Sequence, residues 1–221
     1  MTFYEKLNSA TERERNTLLS APLIQAAMQG QVSLPAYQAF LGEAYHHVKH
    51  TVPLLMACGA RLPESHEWLR QALANYINEE MGHHEWILDD IRACGGDAEA
   101  VRAGQPRLAT ELMVSYAYDT IQRGNPAGFF GMVLVLEGTS VQLATRAAEV
   151  LGRTLGLPEQ AFTYLTSHGS LDISHMKYFQ SLINRIENPA DQESILHCAK
   201  AFYHLYGNIF RELGQEAEQW N

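Results

Sequence analysis

The chain has 221 residues, of which 46% are hydrophobic and 19% charged. That is enough apolar material for one sizeable core and too much for a disordered chain. Its 16 basic and 25 acidic residues give a net charge of −9; such a surface repels phosphate backbones, so nucleic acid is not an expected partner. Cys58, Cys94 and Cys198 are too few and too far apart for a disulfide framework or a zinc ribbon. With no apolar leader and no run of about 18 apolar residues, the expected setting is cytoplasmic, without a membrane partner.

Strand signals are nearly absent, and helix punctuation is frequent. The first 30 residues are expected to hold one or two short helices. Ser33 and Pro35 open a helix expected to run to about Ala60, where Arg61-Leu62-Pro63 closes it. Glu64 to about Cys94 reads as one long helix closed by Gly95-Gly96. A third spans roughly Leu108 to Arg123. Asn125 and Pro126 suit the cap and first position of a fourth, running to about Leu155. A short helix over Pro158 to Ser167, another from about Gly169 to Ile186, and a last one from Asp191 to near the C-terminus complete the chain. The expected fold is all-α, a single domain over 1–221 of seven to nine helices packed as a bundle.

Ionisable residues on apolar faces mark the candidate site. Glu137 ends the run Phe129-Phe130-Gly131-Met132-Val133-Leu134-Val135-Leu136, and a carboxylate in a helix apolar all round needs a cationic partner. Glu80 and His83 are three apart, the Glu-x-x-His spacing of carboxylate-bridged di-iron bundles. Glu79 with His83, or a role for His84, is the alternative. His168, Asp172 and His175 stack along one helical stripe at i, i+4 and i+7. Each group has a plain reading: a salt bridge, a solvated charge pair, a capping Asp between surface histidines. Joined, they supply three carboxylates and three imidazoles from three segments. Such mixed oxygen and nitrogen ligands suit iron or manganese. Two divalent ions would bring +4 against the −3 of the carboxylates, a nearly neutral balance for a buried cluster.

At these residues the chain resembles the heme-oxygenase-like di-iron oxidases and oxygenases, whose superfamily also holds TenA-like thiaminases, the quinone-cofactor synthase PqqC and heme oxygenase. The resemblance covers roughly residues 20 to 215. It rests on Glu80 and His83 in Glu-Glu-Met-Gly-His-His-Glu-Trp, on Glu137 in Val-Leu-Glu-Gly-Thr-Ser, and on His168-x-x-x-Asp172-x-x-His175. It implies an up-and-down bundle of about seven core helices around a cavity. It also implies two iron ions, with manganese as the other candidate metal, that use O₂ to oxidise a small, mostly apolar organic substrate. An electron donor and a homodimer are the further expected partners. In this reading Glu80, His83 and Glu137 hold one ion, and His168, Asp172 and His175 complete the second.

Tyr45, His46, His47, His50 and Tyr76 are candidates for the substrate pocket. In heme oxygenases an early-helix histidine ligates haem, a role His47 or His50 would take. Plain core or surface packing competes for each, and core packing is the expectation for Tyr118 and Tyr178. His197, Cys198, Tyr203, His204 and Tyr206 are expected to be packing and surface residues. His66 and His84 are expected in solvent. The competing functions are a metal-independent TenA-like enzyme or binder of a small heterocycle, disfavoured because no cysteine sits in that family's context, and a haem- or metal-binding regulatory protein.

Overall fold

A computed structural model describes residues 1–217, apart from the side chains of Ser170 and Leu171. Among the described residues there are twelve α-helices and no strand. Three short helices open the chain: α1 (Phe3–Ala10), α2 (Glu12–Leu19) and α3 (Pro22–Gln29). The bundle is built from α4 (Leu34–Val48), α5 (Thr51–Arg61), α6 (Glu67–Glu80), α7 (His83–Ala93), the short α8 (Ala98–Ala103), α9 (Leu108–Arg123), α10 (Phe130–Leu155), α11 (Thr163–Ile183) and α12 (Pro189–Ala217). Only Lys49 and His50 separate α4 from α5. Counting that pair as one kinked rod leaves seven long rods around one core.

Residues 108–123 and 126–155 fold as their periodicity predicts, the latter opening with a 3₁₀ turn at Pro126–Phe129. Asn125 caps that turn by accepting from the Ala127 N–H. Elsewhere the structure corrects the expected boundaries. The N-terminal stretch holds three helices rather than one or two. The helix expected from Ser33 to Ala60 is interrupted after Val48, and α8, capped by Asp97 accepting from the Ala100 N–H, went unpredicted.

Two corrections bear on function. The helix expected from Glu64 to Cys94 breaks at Met81, which is extended, and at Gly82, whose φ of +90° is the left-handed conformation that glycine adopts without a Cβ clash. The two helices expected around Gly169 are instead one, α11. Gly169 lies where α11 crosses α10. A Cβ there would collide with the Thr145 hydroxyl and come within 3.1 Å of the Thr145 backbone nitrogen. Its sequence signal reads as a helix break, but its structural use is close approach.

The central helix is α10, packed most extensively on α11 and then on α12. Its length and hydropathy would also suit a membrane span over Pro126–Leu155, but 61% of the apolar window is buried inside the bundle. Around it and its own buried Phe130 lie fully buried Tyr37, Tyr76, Phe179 and Phe202. Aromatic pairs lock neighbouring helices, including Tyr37 on Phe162 with ring centroids 5.1 Å apart. All three cysteines are buried and unbonded.

Gly169→Ala should therefore lower the unfolding free energy by about 1–3 kcal/mol through overpacking at the α10–α11 crossing. Gly138→Ala, also in α10 but with no atom within 4 Å of its would-be Cβ, should instead gain about 0.5–1 kcal/mol. Urea titration of the two variants checks both signs.

Candidate metal centre

The break at Met81–Gly82 decides how the first pair is presented. Glu80 is the last residue of α6 and His83 the first of α7, so the two do not share a helix face as their spacing suggested. The turn nevertheless brings His83 Nδ1 to 3.0 Å from Glu80 Oε2. The His83 ring stacks on Trp86, centroids 4.0 Å apart, and meets the His168 ring edge-on at 5.0 Å. Ligating atoms of Glu80, His83 and His168 all lie within 4.8 Å of one another. Thus His168, expected with the Asp172 group, sits with the Glu80 pair.

A second group adjoins the first. His175 Nδ1 lies 3.3 Å from Asp172 Oδ1, 3.8 Å from Glu137 Oε1 and 3.9 Å from Glu80 Oε1. The two oxygens of Glu80 therefore face different groups. His175 Nδ1 finds no well-directed hydrogen bond, and Glu137 Oε2 is buried without a partner. The outer nitrogen of His175, Nε2, is 3.0 Å from Glu79 Oε2. The Glu79 side chain is 53% exposed against 9% for Glu80, so Glu80 points inward and Glu79 braces His175 from the solvent side.

The electrostatics follow from this crowding. Burial, reinforced by the charges of Asp172, Glu80 and Glu79, holds the Glu137 carboxyl well above the usual range. Asp172, followed in effect by burial that opposes it and by Glu80 and Glu79, raises the His175 imidazole. For Glu80, burial is the largest influence and pushes upward. It is outweighed by the His83 hydrogen bond and by the charges of His83, His168 and His175, so the carboxyl sits low. Burial lowers His168, whose Nδ1 is 3.0 Å from the Tyr164 carbonyl. A carbonyl can only accept, so this nitrogen carries the proton and Nε2 keeps its lone pair.

A cavity of about 90 Å³ opens beside the cluster, lined by Glu80, Glu137, His168, Asp172, His47 and Tyr76 among others. The His47 ring is buried and held neutral by a pKa lowered to about 3, chiefly through burial and then through His168, His50 and His46. His47 Nδ1, the Tyr76 hydroxyl and the Ser140 hydroxyl have no hydrogen-bond partner. The other pocket candidates lie elsewhere. His46 pairs with Lys49 at 3.1 Å, His50 with the Tyr118 hydroxyl at 3.1 Å, and Tyr45 packs against His46 and His84. His84 is 36% exposed beside Glu85. His66 is not simply solvated: it holds Asp191 at 2.8 Å, and Asp191 in turn accepts from Asn125.

The sequence reading passed over Tyr164 and Asp90 and left Tyr206 to packing. Tyr164 and Tyr206 line the cavity. Tyr164 precedes His168 by four, on the same stripe as Asp172, and that spacing was available. Asp90, fully buried on α7, accepts from the Thr163 and Tyr164 N–H groups at 3.0 and 2.8 Å and so caps the start of α11. Its place between Ile87 and Ile91 on the apolar face was the signal.

The matching family model, described as an iron-containing redox enzyme, covers residues 38–207. The chain belongs to that family. Among solved structures, this family member is similar to a domain of unknown function with a heme oxygenase-like fold from Shewanella denitrificans OS217, at 21% identity and a TM-score of 0.86 over 100% of this chain and 95% of that one. It is also similar to a TenA homologue from P. horikoshii (10% identity, TM-score 0.80, covering 97% of this chain and 99% of that one). Heme oxygenase-1 from the cyanobacterium Synechocystis, in complex with heme, aligns at 10% identity and a TM-score of 0.77, over 99% of this chain and 95% of that one. These likenesses establish a heme oxygenase-like, TenA-like fold. No curated protein matches the chain.

The raised Glu137 and His175 set a pH trend for the metal-free protein. Each binds a proton in the folded state at pH values where the unfolded group, near about 4.3 for Glu and 6.5 for His, has released it. The stability each contributes is therefore lost as pH rises through its raised folded value, whereas Glu80, His47 and His168, all lowered in the folded state, contribute stability that grows with pH. In melts of chelator-treated protein, Glu137→Gln should gain Tm relative to the wild type as pH rises from about 4.3 to neutrality; a wild-type-minus-variant difference that does not fall along that series would contradict the placement of Glu137.

Proposed function

We propose that this protein is a non-haem di-iron oxygenase or oxidase acting on a small, mostly apolar organic molecule. The carrying observation is the convergence of Glu80, Glu137, Asp172, His83, His168 and His175 from four helices, with Glu137 Oε2 buried and unpartnered and His175 Nδ1 set among three carboxylates. Three carboxylates packed this closely call for positive charge, and buried lone pairs aimed inward call for an acceptor of them. The donor set, oxygen and nitrogen without thiolate, fits iron, with manganese as the alternative.

Glu80, His83 and His168 would hold one ion, and Glu137, Asp172 and His175 the other, with Glu80 offering an oxygen to each. When bound, the ferrous pair supplies activation of O₂ for substrate oxidation, with electrons from an external donor. The chain's own residues do the rest. Glu79 fixes the His175 ring from outside, and the Tyr164 carbonyl fixes His168, so both turn their other ring nitrogen inward. Leu54, Leu55, Phe129 and Met132 keep water from the cavity.

Two observations support this reading over its rivals. TenA-like catalysis uses a cysteine nucleophile, and among the described residues no cysteine lines the cavities. A haem is far larger than a cavity of about 90 Å³; an apolar cavity of about 150 Å³ is one that binds a molecule of the size of benzene.

Anaerobic titration with ferrous iron should saturate at two ions per chain. Glu137→Ala, Asp172→Ala and His175→Ala should each reduce this to one or none. Affinity should rise with pH, because Glu137 and His175 must give up their protons to bind. Consumption of O₂ by the loaded wild type, absent in the variants, completes the test; full occupancy in Glu137→Ala would remove the assignment.

A further inference from the structure

Beside the polar cavity lies a second chamber of about 90 Å³, walled by α3, α10 and α12 through residues such as Ile24, Met28, Leu143, Ala147 and Phe210. It has almost no polar character. The hydroxyl of Tyr37, one of its few polar groups, is already spent on the Ala161 carbonyl at 2.8 Å. Four residues, Ser140, Tyr164, His168 and Tyr206, line both chambers and so stand between them. The only one of these that leaves a buried polar atom unpartnered is Ser140, through its hydroxyl.

We propose that this chamber is the tail subsite of the candidate centre, taking the unbranched aliphatic end of a small amphiphile whose polar end lies at Ser140 and the carboxylate cluster. The inference rests on the di-iron reading for what happens at the polar end, but not for what the chamber binds. Its wall is apolar, so a tail gains by leaving water. A way past two tyrosines and a histidine admits a slim chain better than a branched one. If about 150 Å³ holds the six carbons of benzene, then one chamber holds about three or four carbons and the pair about seven heavy atoms. The unpartnered Ser140 hydroxyl can donate to or accept from the first polar atom of the ligand.

The test uses straight-chain primary alcohols from 1-propanol to 1-decanol, with binding to the full chain followed by calorimetry. Each added CH₂ should tighten binding about fourfold, levelling off near about six carbons, the hydroxyl oxygen being the seventh heavy atom on the volume scale above. Isomers with a quaternary carbon next to the alcohol should bind at least tenfold more weakly. Ala147→Trp fills the chamber and should abolish the gain beyond about four carbons. Ala27→Phe, on the half-buried α3 wall, does the same should the first variant fail to fold. Both should bind ferrous iron as the wild type does.

A wild type that takes up iron but shows no chain-length gain overturns the tail subsite and spares the metal reading. Gains that persist unchanged in a folded chamber-filling variant also overturn it. Chain-length gains in a protein that takes up no iron uphold the subsite and sink the metal reading instead.

Discussion

The structure turns on one unfavourable arrangement: three carboxylates, Glu80, Glu137 and Asp172, gathered in the interior of a helical bundle. Burial alone makes an ionised carboxylate costly, and like charges nearby add to that cost. Glu80 is relieved by His83 at 3.0 Å. Glu137 is not relieved, since one of its oxygens has no partner and its carboxyl titrates far above the normal range. A structural salt bridge would have placed a guanidinium or ammonium there. The positive groups nearby are histidines, whose lone pairs serve a metal ion as readily as their protons serve a carboxylate. An interior built only for stability would hold well-packed apolar residues at these positions.

Three backbone devices make that arrangement possible. The left-handed Gly82 ends α6 and restarts α7 within two residues, so Glu80 and His83 approach from opposite helix ends. Gly169 lets α11 lie against α10 closely enough for His168, Asp172 and His175 to reach the Glu137 face. Asp90, with a pKa raised to about 6 mainly by burial, uses both oxygens on the N–H groups that open α11 and ties that helix to α7. None of the three contributes a side chain to the cluster. Each sets the direction from which a cluster side chain arrives.

The contrast between what the sequence disclosed and what it hid follows from the same devices. The all-α class, α9 and α10 were legible because apolar periodicity is a local signal. The six inward-facing acids and imidazoles were legible because charge on an apolar stripe is conspicuous against its neighbours. Gly169 and Gly82 were misread because glycine marks a break, a left-handed turn and a close approach with the same letter, and only the packing partner tells them apart. The grouping of His168 with Glu80 and His83 could not be read from spacing at all. Its stripe is shared with Asp172, and which neighbour it meets depends on where α7 lies across from α11. Tyr206 was assigned to packing because an aromatic on a long amphipathic helix is usually that; its place between two chambers depends on packing that no local pattern announces.

The choice between Glu79 and Glu80 shows how geometry resolves what spacing leaves open. Both precede His83 within one helical turn, and both are acids. In the bundle they face opposite ways: Glu80 is buried between His83 and His175, while Glu79 meets only the outer edge of His175 and stands half in solvent. A histidine has two nitrogens, and one hydrogen bond to the outer of them decides what the inner presents. A carboxylate accepts, so Glu79 keeps a His175 proton on Nε2 and leaves Nδ1, which faces Asp172, as the nitrogen that would give up its proton to a metal ion. The Tyr164 carbonyl does the same for His168 through the other ring nitrogen. The two imidazoles thus turn opposite nitrogens toward one interior, each set by an acceptor outside it. Consecutive glutamates at the end of α6 are therefore two different instruments, one for the cluster and one for the ring that faces it.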